Sequence, residues 1–138
     1  MDSEINKAFA EIEERKLLTT GELKSIKNDA LQKLLFDREE LKHYHKLLTN
    51  YRYVDEIDEL RYGSYIRWFN LKKTKSLKLL NGGFIVDIKT NNKDIIILCK
   101  NSQNKFFNLK MDESFIFQKN TKQEVILIKI LDHVNSIE

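Results

Sequence analysis

The run Lys72-Lys73-Thr74-Lys75-Ser76-Leu77-Lys78 places four ammonium groups within seven residues, just after Tyr65, Arg67 and Trp68. Lysines beside aromatic faces suit phosphates and unstacked bases. The cations displace condensed counterions, and the rings stack on any base whatever its identity. The pattern points to nucleic-acid contact through Tyr65, Arg67, Trp68, Lys72, Lys73, Lys75 and Lys78. No recognised nucleic-acid motif accompanies it, so strong sequence specificity is not expected. Lys89, Lys93, Lys100, Lys105 and Lys110 follow on later strands and turns and extend the surface. The bland alternative is a solvated lysine loop with Trp68 in the core. A third reading makes Tyr62, Tyr65 and Trp68 a cage for a methylated side chain, as in Tudor-like barrels.

Other reactive side chains point to no chemistry. His43 and His45 are two apart on a predicted helix, so their side chains diverge by about 200° and cannot share a metal ion. His133 is isolated. Cys99 lies in the most apolar strand, where a buried, inert thiol is expected. Asp55, Glu56, Asp58 and Glu59 lack the spacing of a divalent-cation loop. With no catalytic motif and no phosphate-binding glycine loop, the expectation is a non-enzymatic protein with neither cofactor nor metal.

Charge is unevenly spread. Residues 60–110 hold eleven basic and two acidic side chains, although the whole chain of 138 residues has a net charge of only +3. Lysine exceeds arginine, isoleucine and asparagine are plentiful and proline is absent, which is what an AT-rich coding sequence yields. Lysine positions therefore say more than lysine totals. The 41% hydrophobic and 10% aromatic content implies a folded chain. No apolar run is long enough to span a bilayer, and residues 1–15 are too charged for a signal peptide. A single cysteine fits a reducing compartment.

The basic segment must be positioned by the block Leu60 to Gln118, which is dense in strand signals. Five strands are expected, around Tyr62–Phe69, Phe84–Lys89, Ile95–Cys99, Phe106–Met111 and Phe115–Phe117. Turns are expected at Asn81-Gly82-Gly83, Thr90–Lys93 (with Asn-Asn at its centre) and Asn101–Asn104. Alternation puts Phe84, Val86 and Ile88 on one face, and Phe107, Leu109 and Met111 on another. A sheet this small must curl to hide its edges. The first choice is a five-stranded SH3-like or Tudor-like barrel, then an OB-like barrel, then a curled open sheet covered by helices.

Around it the fold class is α+β. Residues 3–17 read as a helix. Thr19 and Glu22 have capping-box spacing, and a helix of roughly 28 residues, about 42 Å long, is expected from there to about Leu48. The first helix folds back on it as a hairpin; a homodimer through the long helix is the alternative. Thr49 to Glu59 is a junction whose acidic stretch leads into the first strand or, alternatively, folds over the basic barrel. Thr121 and Glu124 repeat the capping-box spacing and open a closing helix whose apolar face needs cover. The domains are a helical extension, 1–50, and the barrel with its closing helix, 51–138. A protein–protein adapter or virion assembly subunit, acting through the terminal helices, is the alternative function.

From Tyr51 to Asp132 the segments YRYVDEIDELRYGSYIRWFNL, NGGFIVDI, ILCKN, KFFNLKMDESFIFQK and QEVILIKILD resemble small uncharacterised proteins of nucleocytoplasmic large DNA viruses. The resemblance implies a viral protein made in a host cell, in the host cytoplasm or packaged in the virion. It brings no activity and no functional residues. Residues 1–50 fall outside it.

Overall fold

Reciprocal caps start three of the four helices. The computed structural model describes residues 2–73, 75 and 77–137; Thr74 and Ser76 of the lysine run lie outside the described residues. Helix α1 is Asp2–Glu14, α2 is Thr20–Gln32, α3 is Arg38–Leu47 and α4 is Lys122–Ile137. Thr19 and Glu22 cap α2 reciprocally. Thr121 and Glu124 do the same for α4, at 3.0 and 3.1 Å. The single helix expected from 20 to 48 is instead two helices. Asp37 and Glu40 form a further capping box that starts α3. Leu35, at φ 59, turns the chain just before it. An N-cap residue is extended, so a helix cannot run through it. Helix α1 stops short of the expected residue 17 because Lys16 adopts φ 53. It packs on α4 rather than folding back as a hairpin on α2, with Ile12, Leu17 and Leu23 meeting Leu127 and Ile128.

The sheet is antiparallel, open and six-stranded: β1 (Tyr51–Val54), β2 (Tyr65–Asn70), β3 (Leu79–Asn91), β4 (Asp94–Lys100), β5 (Phe106–Lys110) and β6 (Ser114–Lys119), in the order β1-β6-β2-β3-β4-β5. The expected count of five is corrected to six. The additional strand, β1, comes from the segment read as a junction, and it pairs with β6, more than sixty residues on. Of the three architectures weighed, the curled open sheet lies closest.

The curl follows from the connection between β5 and β6. They lie four strand steps apart, about 19 Å on a flat sheet, whereas a 3₁₀ turn of this length advances only about 8 Å. That turn is Met111–Glu113, so the sheet must bend back on itself. Strand β3 spans the bend and pairs with β2 at its start and β4 at its end. The Asn81-Gly82-Gly83 segment, expected as a turn, lies inside β3. A Cβ on Gly82 would lie 1.8 Å from the Ile66 carbonyl oxygen, and one on Gly83 would lie 2.8 Å from the Phe107 ring. These glycines permit close strand packing rather than a reversal. The hairpin loop after β3 is Asn92-Lys93, one residue later than expected, with Asn92 at φ 58.

Each sheet face has its own core. Ile66, Trp68, Ile85, Ile97, Leu109 and Ile116 pack on one face. On the other, Phe69, Leu79 and Phe117 meet Leu31 and Leu48 of the helical segment. Among the described residues the helices pack most closely on β1, and Phe69 of β2, Phe117 of β6 and Leu79 at the start of β3 meet them from the sheet. No helix among the described residues is long and apolar enough to cross a membrane.

Candidate nucleic-acid interface

The lysine loop leaves β2 through a turn. The Asn70 side chain accepts the Lys72 N–H at 3.0 Å, and its carbonyl accepts the Lys73 N–H at 3.2 Å. Leu71 donates to the Glu113 carbonyl at 2.9 Å, which ties the loop to the 3₁₀ turn before β6. Lys73, Lys75 and Lys78 are exposed and make no ion pair among the described residues. Lys72 is engaged: its Nζ lies 3.0 Å from Glu113 Oε1, and Lys110 reaches the same oxygen at 3.9 Å. The hydrogen bond to Glu113 raises the Lys72 pKa.

The aromatic half of the expected site changes. Trp68 is 7% exposed and stacks on Phe107 at 5.2 Å, within the core. It cannot receive a base, and the reason is strand alternation: Trp68 shares the inner face with Ile66, while Tyr65 and Arg67 point the other way. The same alternation undoes the proposed cage of Tyr62, Tyr65 and Trp68. Arg67 is half-buried and donates its Nε–H to the Leu80 carbonyl at 3.2 Å. Tyr65 is half-buried; its phenol oxygen accepts the Gly82 N–H at 3.2 Å, and its ring meets Phe84 edge-on at 5.1 Å.

The sheet supplies other aromatic faces. The register pairs Tyr65 with Phe84, Phe84 with Lys100, and Lys100 with Phe106. One cross-strand row therefore runs Tyr65–Phe84–Lys100–Phe106. Phe84 is 46% exposed and Phe106 60%. The Lys100 ammonium lies 5.9 Å from the Phe106 ring centroid. A second row, Lys89–Ile96–Lys110, crosses β3, β4 and β5 and adds two exposed cations. Lys110 and Lys72 meet at Glu113, so the sheet face and the loop adjoin there.

The sequence reading missed Phe84 and Phe106 because plain alternation placed Phe84 with Val86 and Ile88, inward. The pairing shifts between Ile85 and Asp87, and this irregularity breaks the alternation. Ile85 is buried while Phe84 and Val86 stay out. Phe107, the inner neighbour of Phe106, was read correctly.

The acidic stretch does not fold over this surface. Lys16 binds Glu56 and Asp58, and Arg52 binds Glu59 at 3.2 Å. Cys99 is buried, and burial pushes its thiol pKa up to about 12. Among the described residues no group of three or more His, Cys, Asp or Glu could hold a metal ion.

Comparison of the chain with protein-family models, with curated proteins and with solved structures gave no match.

Proposed function

We propose that this is a non-enzymatic nucleic-acid-binding protein that takes single strands on the open face of β3, β4 and β5 and grips their phosphates with the adjoining lysine loop. The row Tyr65–Phe84–Lys100–Phe106 carries the reading. Two exposed phenylalanines flank a lysine across adjacent strands, so bases have rings to stack on and the backbone has a cation between them. Stacking platforms beside basic grooves bind single strands with little sequence preference. Lys73, Lys75 and Lys78 extend the cationic track, while Arg67 and Tyr65 support its edge. Trp68 has no part in it.

The tight β5–β6 crossover and the bent β3 support the finer architectural reading, a small SH3-like or Tudor-like barrel with β1 added at an edge. Small barrels bind ligands along such a strand face and loop. The viral resemblance of residues 51–132 supports action in the host cytoplasm or the virion.

The second reading, an adapter or virion assembly subunit, is favoured by a different observation. Ile5 and Phe9 on α1, and Ile126 and Ile130 on α4, remain 52, 37, 55 and 38% exposed. These side chains lie on the two helices that pack together and would serve a protein partner.

Binding to fluorescent single- and double-stranded DNA and RNA across a salt series tests the first reading. Micromolar affinity at low salt is expected, falling steeply as salt rises. Phe84→Ala with Phe106→Ala should weaken single-strand binding most. Lys73→Ala, Lys75→Ala and Lys78→Ala together should flatten the salt dependence. No binding at low salt would overturn the reading and favour the adapter.

A further inference from the structure

A second basic site lies among the helices. A cleft of about 460 Å³ opens between α2, the end of α3 and α4, lined by Lys24, Lys27, His45, Lys46 and Lys129 among others, and by no carboxylate. Three of these lysines, Lys24, Lys46 and Lys129, are exposed at the cleft. Lys27 differs. It is 7% exposed, and its Nζ donates to the Leu48 carbonyl at 2.8 Å and the Tyr51 carbonyl at 3.0 Å. No carboxylate pairs with it among the described residues. An ammonium has three N–H donors, so one remains unused. A buried cation without a counter-charge is unfavourable, and three further ammonium groups on the same cleft add repulsion. An anion seated there would relieve both.

Two more groups favour an anion that carries something besides phosphate. Asn120 lines the cleft, and its Oδ1 is buried with no hydrogen-bond partner. Tyr51 lines the cleft half-buried and offers an aromatic face. Thr20, on the cleft wall, is bound by Asp132, whose carboxylate accepts its N–H at 2.8 Å and also its hydroxyl proton and is thereby spent on the start of α2. The volume falls within the range of small-molecule sites, about 300–1,000 Å³.

We propose that this cleft binds a small phosphate-bearing molecule of nucleotide size, its phosphates held by Lys24, Lys27, Lys46 and Lys129. The lysines of this cleft are distinct from those of the β2–β3 loop, and the site needs no nucleic acid on the sheet face.

Calorimetry on the full chain with ATP, AMP, pyrophosphate and inorganic phosphate tests it, with NMR of the His45 ring as a local readout. His45 pairs through Nε2 with Asn28 Oδ1 at 2.9 Å, and its pKa is lowered by burial and then by Lys27 and Lys24. A phosphate that neutralises those lysines should raise it. Binding of ATP is expected, with a loss of about tenfold for each of Lys24→Ala and Lys129→Ala, both at exposed positions. Lys27→Met tests the buried cation at similar volume, with thermal unfolding as the check that it folds. A preference for ATP over pyrophosphate would assign Asn120 and Tyr51 to the nucleoside; equal affinity would assign the site to phosphate alone. The first result upholds the proposal; the second overturns a ligand of nucleotide size. Silence from all four probes, or binding that survives Lys24→Ala with Lys129→Ala, overturns it. The substitutions at Lys73, Lys75 and Lys78 should leave ATP binding unchanged, which separates this site from the nucleic-acid surface.

Discussion

Arg52 and Glu59 form an ion pair of 3.2 Å with side chains only 5 and 15% exposed, and Arg52 uses the same guanidinium to join α1 to the sheet. Its Nη1 donates to the Lys16 carbonyl at 3.2 Å and the Arg15 carbonyl at 3.4 Å, just past the end of α1. Its Nε is buried and unpartnered. Burial holds the Glu59 carboxyl above the usual range, and Arg52 only partly opposes it.

The pair should therefore respond asymmetrically to substitution. Arg52→Ala strands a buried carboxylate and frees the end of α1, so a loss of about 3–5 kcal/mol is expected. Glu59→Gln keeps a hydrogen-bond acceptor for Arg52 but leaves that cation without its counter-charge; it should be the milder change. Because Glu59 binds its proton more tightly folded than unfolded, its contribution is fully present below the unfolded pKa and is lost as pH rises through the folded one. Glu59→Gln should remove that decline. Urea unfolding of both variants at acidic and neutral pH decides the matter, and equal losses would contradict the asymmetry.

Glu113 restrains two cations of the proposed surface, Lys72 and Lys110. Glu113→Gln should release both for phosphate contact. Affinity for a single-stranded oligonucleotide should rise, and the salt dependence should steepen by about 0.7 in slope for each lysine released. An unchanged slope would remove Lys72 and Lys110 from the surface.

Gly82 and Gly21 should behave oppositely when replaced by alanine. At Gly82 the new Cβ would collide with strand backbone, whereas at Gly21 it would meet nothing within 4 Å. Gly82→Ala should cost about 3 kcal/mol or more, or prevent folding. Gly21→Ala, in the first turn of α2, should stabilise slightly, by up to about 0.5 kcal/mol. Thermal unfolding of the two variants side by side gives the comparison.

Cys99 should resist thiol reagents in the folded protein. Its side chain is fully buried and its pKa is pushed up to about 12. The thiolate fraction at neutral pH is then negligible. Labelling should proceed only through opening of the sheet and accelerate sharply in denaturant. Rapid labelling under native conditions would show that β4 opens readily.

Local chemistry made much of this legible in the sequence. The capping boxes at Thr19 and Thr121 need only residues three apart, and both helices begin there. The apolar runs at Ile95–Cys99 and Phe115–Phe117 read correctly as strands. The exposure of Lys73, Lys75 and Lys78 follows from their charge. The Asp37–Glu40 capping box is equally local, and it divides the single helix expected from Thr20 to Leu48 into α2 and α3.

The remainder depends on pairings between distant residues. Tyr51–Val54 becomes a strand because β6 lies beside it, and nothing within four residues announces that partner. Asn81-Gly82-Gly83 is turn-like by composition, yet β2 approaches so closely that only glycine fits. The irregular pairing between Ile85 and Asp87 leaves Phe84 facing outward, and the adjacent strands align it with Lys100 and Phe106. Trp68 is drawn inward by the same sheet. The basic helical cleft exists only because α2, α3 and α4 converge, bringing Lys24, Lys46 and Lys129 together from three helices. Charge and capping are properties of short segments and travel with the sequence; faces, registers and clefts are set by which distant segments meet.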